Sequence, residues 1–296
     1  MKITICMLVL IIIVNGLFAI KLSKDLIKNR QQLKNEPGHN LLLAIASPII
    51  FFLSSIGVSD FAVSTVFYRK AKLITDKLLP GTLNTQCVIP VAAMALTFIS
   101  TIKVDTLTLS ICIISQVIGA YFGSRFISKL SLKSIRKLIG TGLIIATTFI
   151  IASKLSLIPS GGTAFALSPI KLAIAAMLLS IFGALNNMGI GSYAPTMVTV
   201  YALGMDPVAA FPIIMGASTF SIPIGSIQFI KRKEYSRKIT LFAATFGLLG
   251  VLVGVCFIRK LDISMLQWLI AAILLYSGTS MLIDEFKTAK TRSSLC

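Results

Sequence analysis

Gly119-Ala120-Tyr121-Phe122-Gly123-Ser124-Arg125-Phe126-Ile127-Ser128-Lys129-Leu130 returns further along the chain as Gly250-Val251-Leu252-Val253-Gly254-Val255-Cys256-Phe257-Ile258-Arg259-Lys260-Leu261. Both copies place glycines four apart, then Phe-Ile, then Lys-Leu, and Leu138-Ile139 and Leu269-Ile270 extend the match. The surroundings are apolar: 56% of the 296 residues are hydrophobic and only 13% charged, with a mean hydropathy of +0.92. A water-soluble domain needs a polar coat, whereas a protein coated by lipid does not. Apolar runs of the roughly 20 residues needed to cross a bilayer recur from end to end. The chain therefore reads as an all-α integral membrane protein built on a duplicated unit, which is the usual construction of a transporter.

The apolar runs predict about nine transmembrane helices of bilayer-spanning length. An additional N-terminal helix and a basic polar linker occupy 1–40. A first four-helix repeat covers 41–153, with spans near 41–67, 80–100, 107–128 and 134–153. A linker, 154–169, contains Pro159 and Gly161-Gly162. The second repeat covers 170–284, with spans near 170–201, 208–230, 239–258 and 265–284, and a polar tail follows at 285–296. The first span starts at Lys2, but its apolar core is long and no A-x-A cleavage site follows. It reads as a retained helix.

With 28 Lys+Arg against 10 Asp+Glu, the formal net charge is +18. The bases cluster between spans, at 21–34, 69–77, 129–137 and 231–238, as topology signals and headgroup contacts do, and nucleic acid is not an expected partner. Under nine plain spans the clusters at 69–77 and 231–238 fall on opposite sides of the membrane. A re-entrant segment in place of one span would remove the conflict.

Catalytic parts are missing. The five cysteines form no CxxC pair, the single histidine, His39, lies in the polar linker, and the acids are scattered. No metal or cofactor is expected and an enzyme is disfavoured.

The opening segment of each repeat is too long for one straight helix and has a polar, glycine-containing centre. In the first it is Ser54-Ser55-Ile56-Gly57-Val58-Ser59-Asp60; in the second it is Asn186-Asn187-Met188-Gly189-Ile190-Gly191-Ser192-Tyr193-Ala194-Pro195. Such residues favour helix ends and turns, and in lipid irregular backbone survives only where protein or a water-filled cavity covers it. Two helices broken at mid-depth, facing each other at the repeat interface, are predicted. The next span of each repeat carries Asn84-Thr85-Gln86 or Ser218-Thr219 and then Ile-Pro, at Ile89-Pro90 and Ile222-Pro223.

These polar centres supply the candidate substrate site: Ser55, Gly57, Ser59, Asp60, Asn84, Thr85, Gln86, Asn186, Asn187, Gly189, Gly191, Ser192, Pro195, Ser218 and Thr219. Hydroxyls, amides and helix N-termini suit a small anion. For any one of these residues, ordinary hydrogen bonding between helices is the competing explanation. A carboxylate inside the membrane is costly, so Asp60 either caps the following helix or takes part in the pathway, for example in proton coupling. Gly119/Gly123 and Gly250/Gly254 read as close-packing faces.

On these glycine-containing breaks, the G-x-x-x-G spans and the Leu-Ile helix after a basic turn, residues 41–284 resemble the TauE/SafE sulfite exporter family, also called the toluene-sulfonate uptake permease family. The resemblance implies two four-helix membrane repeats and secondary transport of small, often sulfur-containing anions across the cell membrane of a prokaryote. Its first-half pattern is a glycine-rich run and a proline; here the run reads Gly57-Val58-Ser59-Asp60, with Val63 at the proline position. The alternative is a non-transporting membrane subunit that assembles or regulates a complex.

Overall fold

The computed structural model describes residues 2–75, 77–123, 140–145, 147–148, 151–152, 155, 162, 164–186, 192–260, 265, 268–269, 271–280 and 282–283. Among them the structure is helical apart from short turns and one isolated bridge, Ala164 to Met205. The main elements are α1 (Lys2–Lys28), α2 (Arg30–Asn35), α3 (Asn40–Ser55), α4 (Asp60–Lys70), α5 (Leu79–Thr101), α6 (Thr106–Ile118), α7 (Pro169–Asn186), α8 (Tyr193–Ala202), α9 (Ala210–Arg232) and α10 (Arg237–Lys260). A π-helical turn, Gly119–Gly123, continues α6.

Among the described residues, four helices are long and apolar enough to cross a membrane: Ile3–Lys28, Leu79–Thr101, Ala210–Arg232 and Arg237–Ile258. Pro90 and Pro223 lie inside α5 and α9, which continue through them. The missing donor of proline is thus tolerated without a break.

The chain forms two compact units. Unit 1 comprises 1–106 and 215–260; unit 2 comprises 107–214 and 261–296. Each draws segments from both halves of the sequence.

In unit 1, α10 packs along α3 and α5. Small residues let the backbones approach: a Cβ added at Gly250 would stand 2.0 Å from the Pro48 carbonyl oxygen, and one at Gly254 would stand 1.8 Å from Ser55 Oγ. The helix α1 packs on α5 and, through Asn15, meets α9; its buried residues Ile11, Asn15, Phe18 and Leu22 form a single stripe, while Ile5, Val9, Ile12 and Leu17 stay exposed. That one-sided burial fits a helix whose other faces meet lipid.

The span expected near 41–67 is a helical hairpin. The helix α3 starts just after Gly38, where an added Cβ would lie 3.2 Å from Leu73, which follows α4. The chain therefore leaves and returns to the same end of unit 1. That end also holds the start of α5 and the turn between α9 and α10, because Thr82 Oγ1 accepts the Ser236 N–H at 2.8 Å. The basic stretches 69–77 and 231–238 consequently share one end, which removes the conflict in the charge pattern.

In unit 2, α7 and α8 flank 187–191, which lie outside the described residues. The segment before α7 meets the segment after α8: Ala164 N–H donates to Gly204 O at 3.2 Å, and Asp206 N–H donates to Ala164 O at 2.9 Å. The pair α7–α8 thus also returns to its starting end. The π turn and α7 approach at backbone distance: a Cβ at Gly119 would stand 1.8 Å from Ser180 O, and one at Gly183 2.0 Å from Gln116 O.

Candidate functional site

The turn between α3 and α4 follows from its residues. Gly57 takes φ +107°, a region open to glycine and strained for other residues. Its N–H donates to Ser54 O at 3.1 Å, and Val58 N–H donates to Leu53 O at 2.9 Å. This pair of bonds is the Schellman closure of a helix C-terminus. Two residues on, Ser59 caps α4, its Oγ accepting the Ala62 N–H at 3.3 Å. Asp60 is the first residue of α4, where the helix dipole favours an anion.

Asp60 lies close enough to Tyr68 and Cys87 to interact with both electrostatically, and the Ser54 hydroxyl and Phe61 amide face its carboxyl group. Even so, Asp60 Oδ2 is buried with no hydrogen-bond partner among the described residues. Beneath it, Gln86 locks α4 to α5. Its Nε2 donates to Ser64 Oγ at 2.9 Å, and its Oε1 accepts the Tyr68 hydroxyl.

Several candidate residues serve helix contacts. Thr85 Oγ1 pairs with Thr240 Oγ1 at 2.8 Å, and both are buried. Ser55 Oγ donates to Phe52 O at 2.7 Å. Asn84 turns its amide onto Pro80 O at 2.9 Å, along its own helix. Thr219 accepts from Asn15 Nδ2 at both its hydroxyl, 2.7 Å, and its carbonyl, 3.1 Å. Ser218 is buried one position away.

Asn186 is the last residue of α7, and Asn187, Gly189 and Gly191 lie outside the described residues. Ser192 is buried at the start of α8 and does not cap it with its side chain; Pro195 is buried in the first turn. Two residues absent from the sequence expectation stand out there. Tyr193 OH and Thr196 Oγ1 are buried without a hydrogen-bond partner among the described residues. Buried polar atoms are normally paired, so unpaired ones in the first turns of α4 and α8 mark these places as chemically unfinished. The signal for Thr196 was its helical spacing from Tyr193, which sets both on one face.

A second polar cluster, also missed, joins the N-terminal region to α10. Asp25 Oδ2 accepts Arg237 Nε and the Tyr235 hydroxyl, each at 2.7 Å. Burial first, and then the Asp25 carboxylate, push the Tyr235 hydroxyl well above the usual phenol range, so it remains a donor. Glu36 closes the N-terminus of α10. Its Oε2 accepts Ser236 Oγ at 2.6 Å and Lys238 N–H at 2.9 Å, and its Oε1 accepts Arg237 N–H at 3.1 Å. A carboxylate there satisfies donors that the helix itself cannot. Among the described residues no cluster of His, Cys, Asp and Glu could hold a metal ion.

The family model described as Sulfite exporter TauE/SafE matches residues 172–295. The match supports the family that the sequence resembles, and with the apolar helices it supports a multi-pass membrane protein. No curated protein and no solved structure matches the chain.

Proposed function

We propose that this chain, whose residues 172–295 carry the sulfite exporter TauE/SafE pattern, is a secondary transporter of a small sulfite- or sulfonate-like anion in the cell membrane. That family match is the observation that carries the reading. Transport proceeds by alternating access, and Asp60 couples it to protons.

The duplicated architecture is supported by paired contacts at the spacing of the sequence repeat. Gly250 meets Pro48 in unit 1, and Gly119 meets Ser180 in unit 2. Gly247 meets Phe51, and Gly183 meets Gln116. In each case the partners sit at equivalent places of the two repeats, and each repeat packs its later helix on the opening hairpin of the other. Intertwined halves of this kind are how inverted repeats are built into transporters.

Each opening helix pair has a second helix whose N-terminal region holds unpaired buried polar atoms: Asp60 Oδ2 in α4, and Tyr193 OH and Thr196 Oγ1 in α8. The segments Gly57–Asp60 and Asn186–Pro195 contribute the solute contacts. N–H groups, hydroxyls and dipoles suit an anion that must be released again. Thr85, Gln86 and Thr219 hold the surrounding helices together.

The test is thermal stabilisation of purified protein by a panel of sulfite, sulfonates, sulfate and chloride. A ligand that binds the folded state raises its apparent melting temperature. Sulfite or a sulfonate shifts it and chloride does not; no shift with any of the panel's anions would leave the non-transporting subunit as the better reading.

A further inference from the structure

Three stretches distant in sequence bring exposed bases to one end of unit 1. They are the end of α1 with α2 (21–34), the end of α4 with its following turn (69–77), and the end of α9 (231–233). The bonds from Asp25 to Tyr235 and Arg237, and from Ser236 to Thr82, hold these stretches at a common level. Among the described residues the acids at this end are Asp25, Glu36 and Glu234, fewer than the bases. Asp25 and Glu36 are engaged by Tyr235, Ser236, Arg237 and the α10 amides. Lys24, Lys28, Lys70, Lys72, Lys231 and Arg232 are exposed and have no ion-pair partner among the described residues.

The apolar lengths of α1, α5, α9 and α10 all end or begin here. It is therefore the level at which hydrocarbon gives way to headgroups. The opposite end of unit 1 is poorer in charge, with Lys2 at the start of α1, Lys103 and Asp105 after α5 and Arg259-Lys260 at the end of α10.

We infer that this end of unit 1 is a docking face for anionic lipid headgroups of the cytoplasmic leaflet, contacted by Lys24, Lys28, Lys70, Lys72, Lys231 and Arg232. Exposed bases beside a span are attracted to an anionic leaflet and set orientation. The N-terminus then lies outside the cytoplasm, and the α3–α4 hairpin enters from the cytoplasmic side.

The full chain in nanodiscs of phosphatidylcholine, with and without phosphatidylglycerol, tests this. The anionic lipid raises the apparent melting temperature by a few degrees, and high salt removes the rise, because exposed charges are screened. Replacing Lys24, Lys28, Lys231 and Arg232 together with glutamine abolishes the rise, while Lys103→Gln retains it. Each variant is compared with itself in two lipids, so lower intrinsic stability does not obscure the readout. Inorganic phosphate added to phosphatidylcholine discs leaves the melting temperature unchanged. An undiminished rise in the fourfold variant would overturn the inference, as would reproduction of the rise by phosphate alone.

Discussion

Gly250 approaches Pro48 so closely that a methyl group on its α-carbon would stand 2.0 Å from the Pro48 carbonyl oxygen. Backbone cannot yield as a flexible side chain can, so α10 and α3 would have to separate. Gly250→Ala lowers stability by about 1–3 kcal/mol, the usual cost of overpacking. Gly119→Ala, facing Ser180 O at 1.8 Å, does the same. Gly225→Ala, with nothing within 4 Å, does not. Thermal unfolding in detergent checks all three.

Asp25 and Arg237 form a pair at 2.7 Å whose side chains are 14% and 6% exposed. Removing Asp25 leaves the buried guanidinium, among the described residues, with only Glu36, 4.0 Å away. Asp25→Asn therefore costs about 3 kcal/mol, and adding Arg237→Met restores much of the loss. A double-mutant cycle on unfolding midpoints measures the coupling.

Asn15 ties α1 to α9 through Thr219. Asn15→Leu loosens α1 by about 1 kcal/mol, in the range of hydrogen bonds between membrane helices. Disulfide trapping between cysteines placed on the facing sides of α1 and α9 slows in that variant.

Gly57→Ala forces a side chain into a left-handed conformation and weakens the Schellman closure. The expected cost is about 1–2 kcal/mol. Limited proteolysis at 56–59 accelerates, since the turn opens more often.

Much of this was legible in the residues. Gly57 and Ser59 announced a helix stop and a helix start, and the four-spaced glycines announced close packing. That the α3–α4 turn reverses the chain was not legible, because the same residues serve a kink or a hairpin. The choice is made by distant partners, such as Gln86 reaching both Ser64 and Tyr68. Asn15 was hidden inside an apolar run, although a lone amide there is itself a sign of an interhelical bond. Thr85 and Thr219 show the converse: their polarity was plain, yet each is engaged by another helix. The pairing of Asp25 and Glu36 with α10 spans about 200 positions, beyond any local pattern.

The most direct measurement is radiolabelled sulfite and sulfonate flux in proteoliposomes under an imposed pH gradient. The wild-type chain moves at least one of these anions above protein-free background, and flux responds to the gradient. Asp60→Asn, folded by its melting curve, loses that response. Flux at background level for every anion of the panel, from protein shown to be folded, would contradict transport; an unchanged gradient response in Asp60→Asn would contradict the role of Asp60.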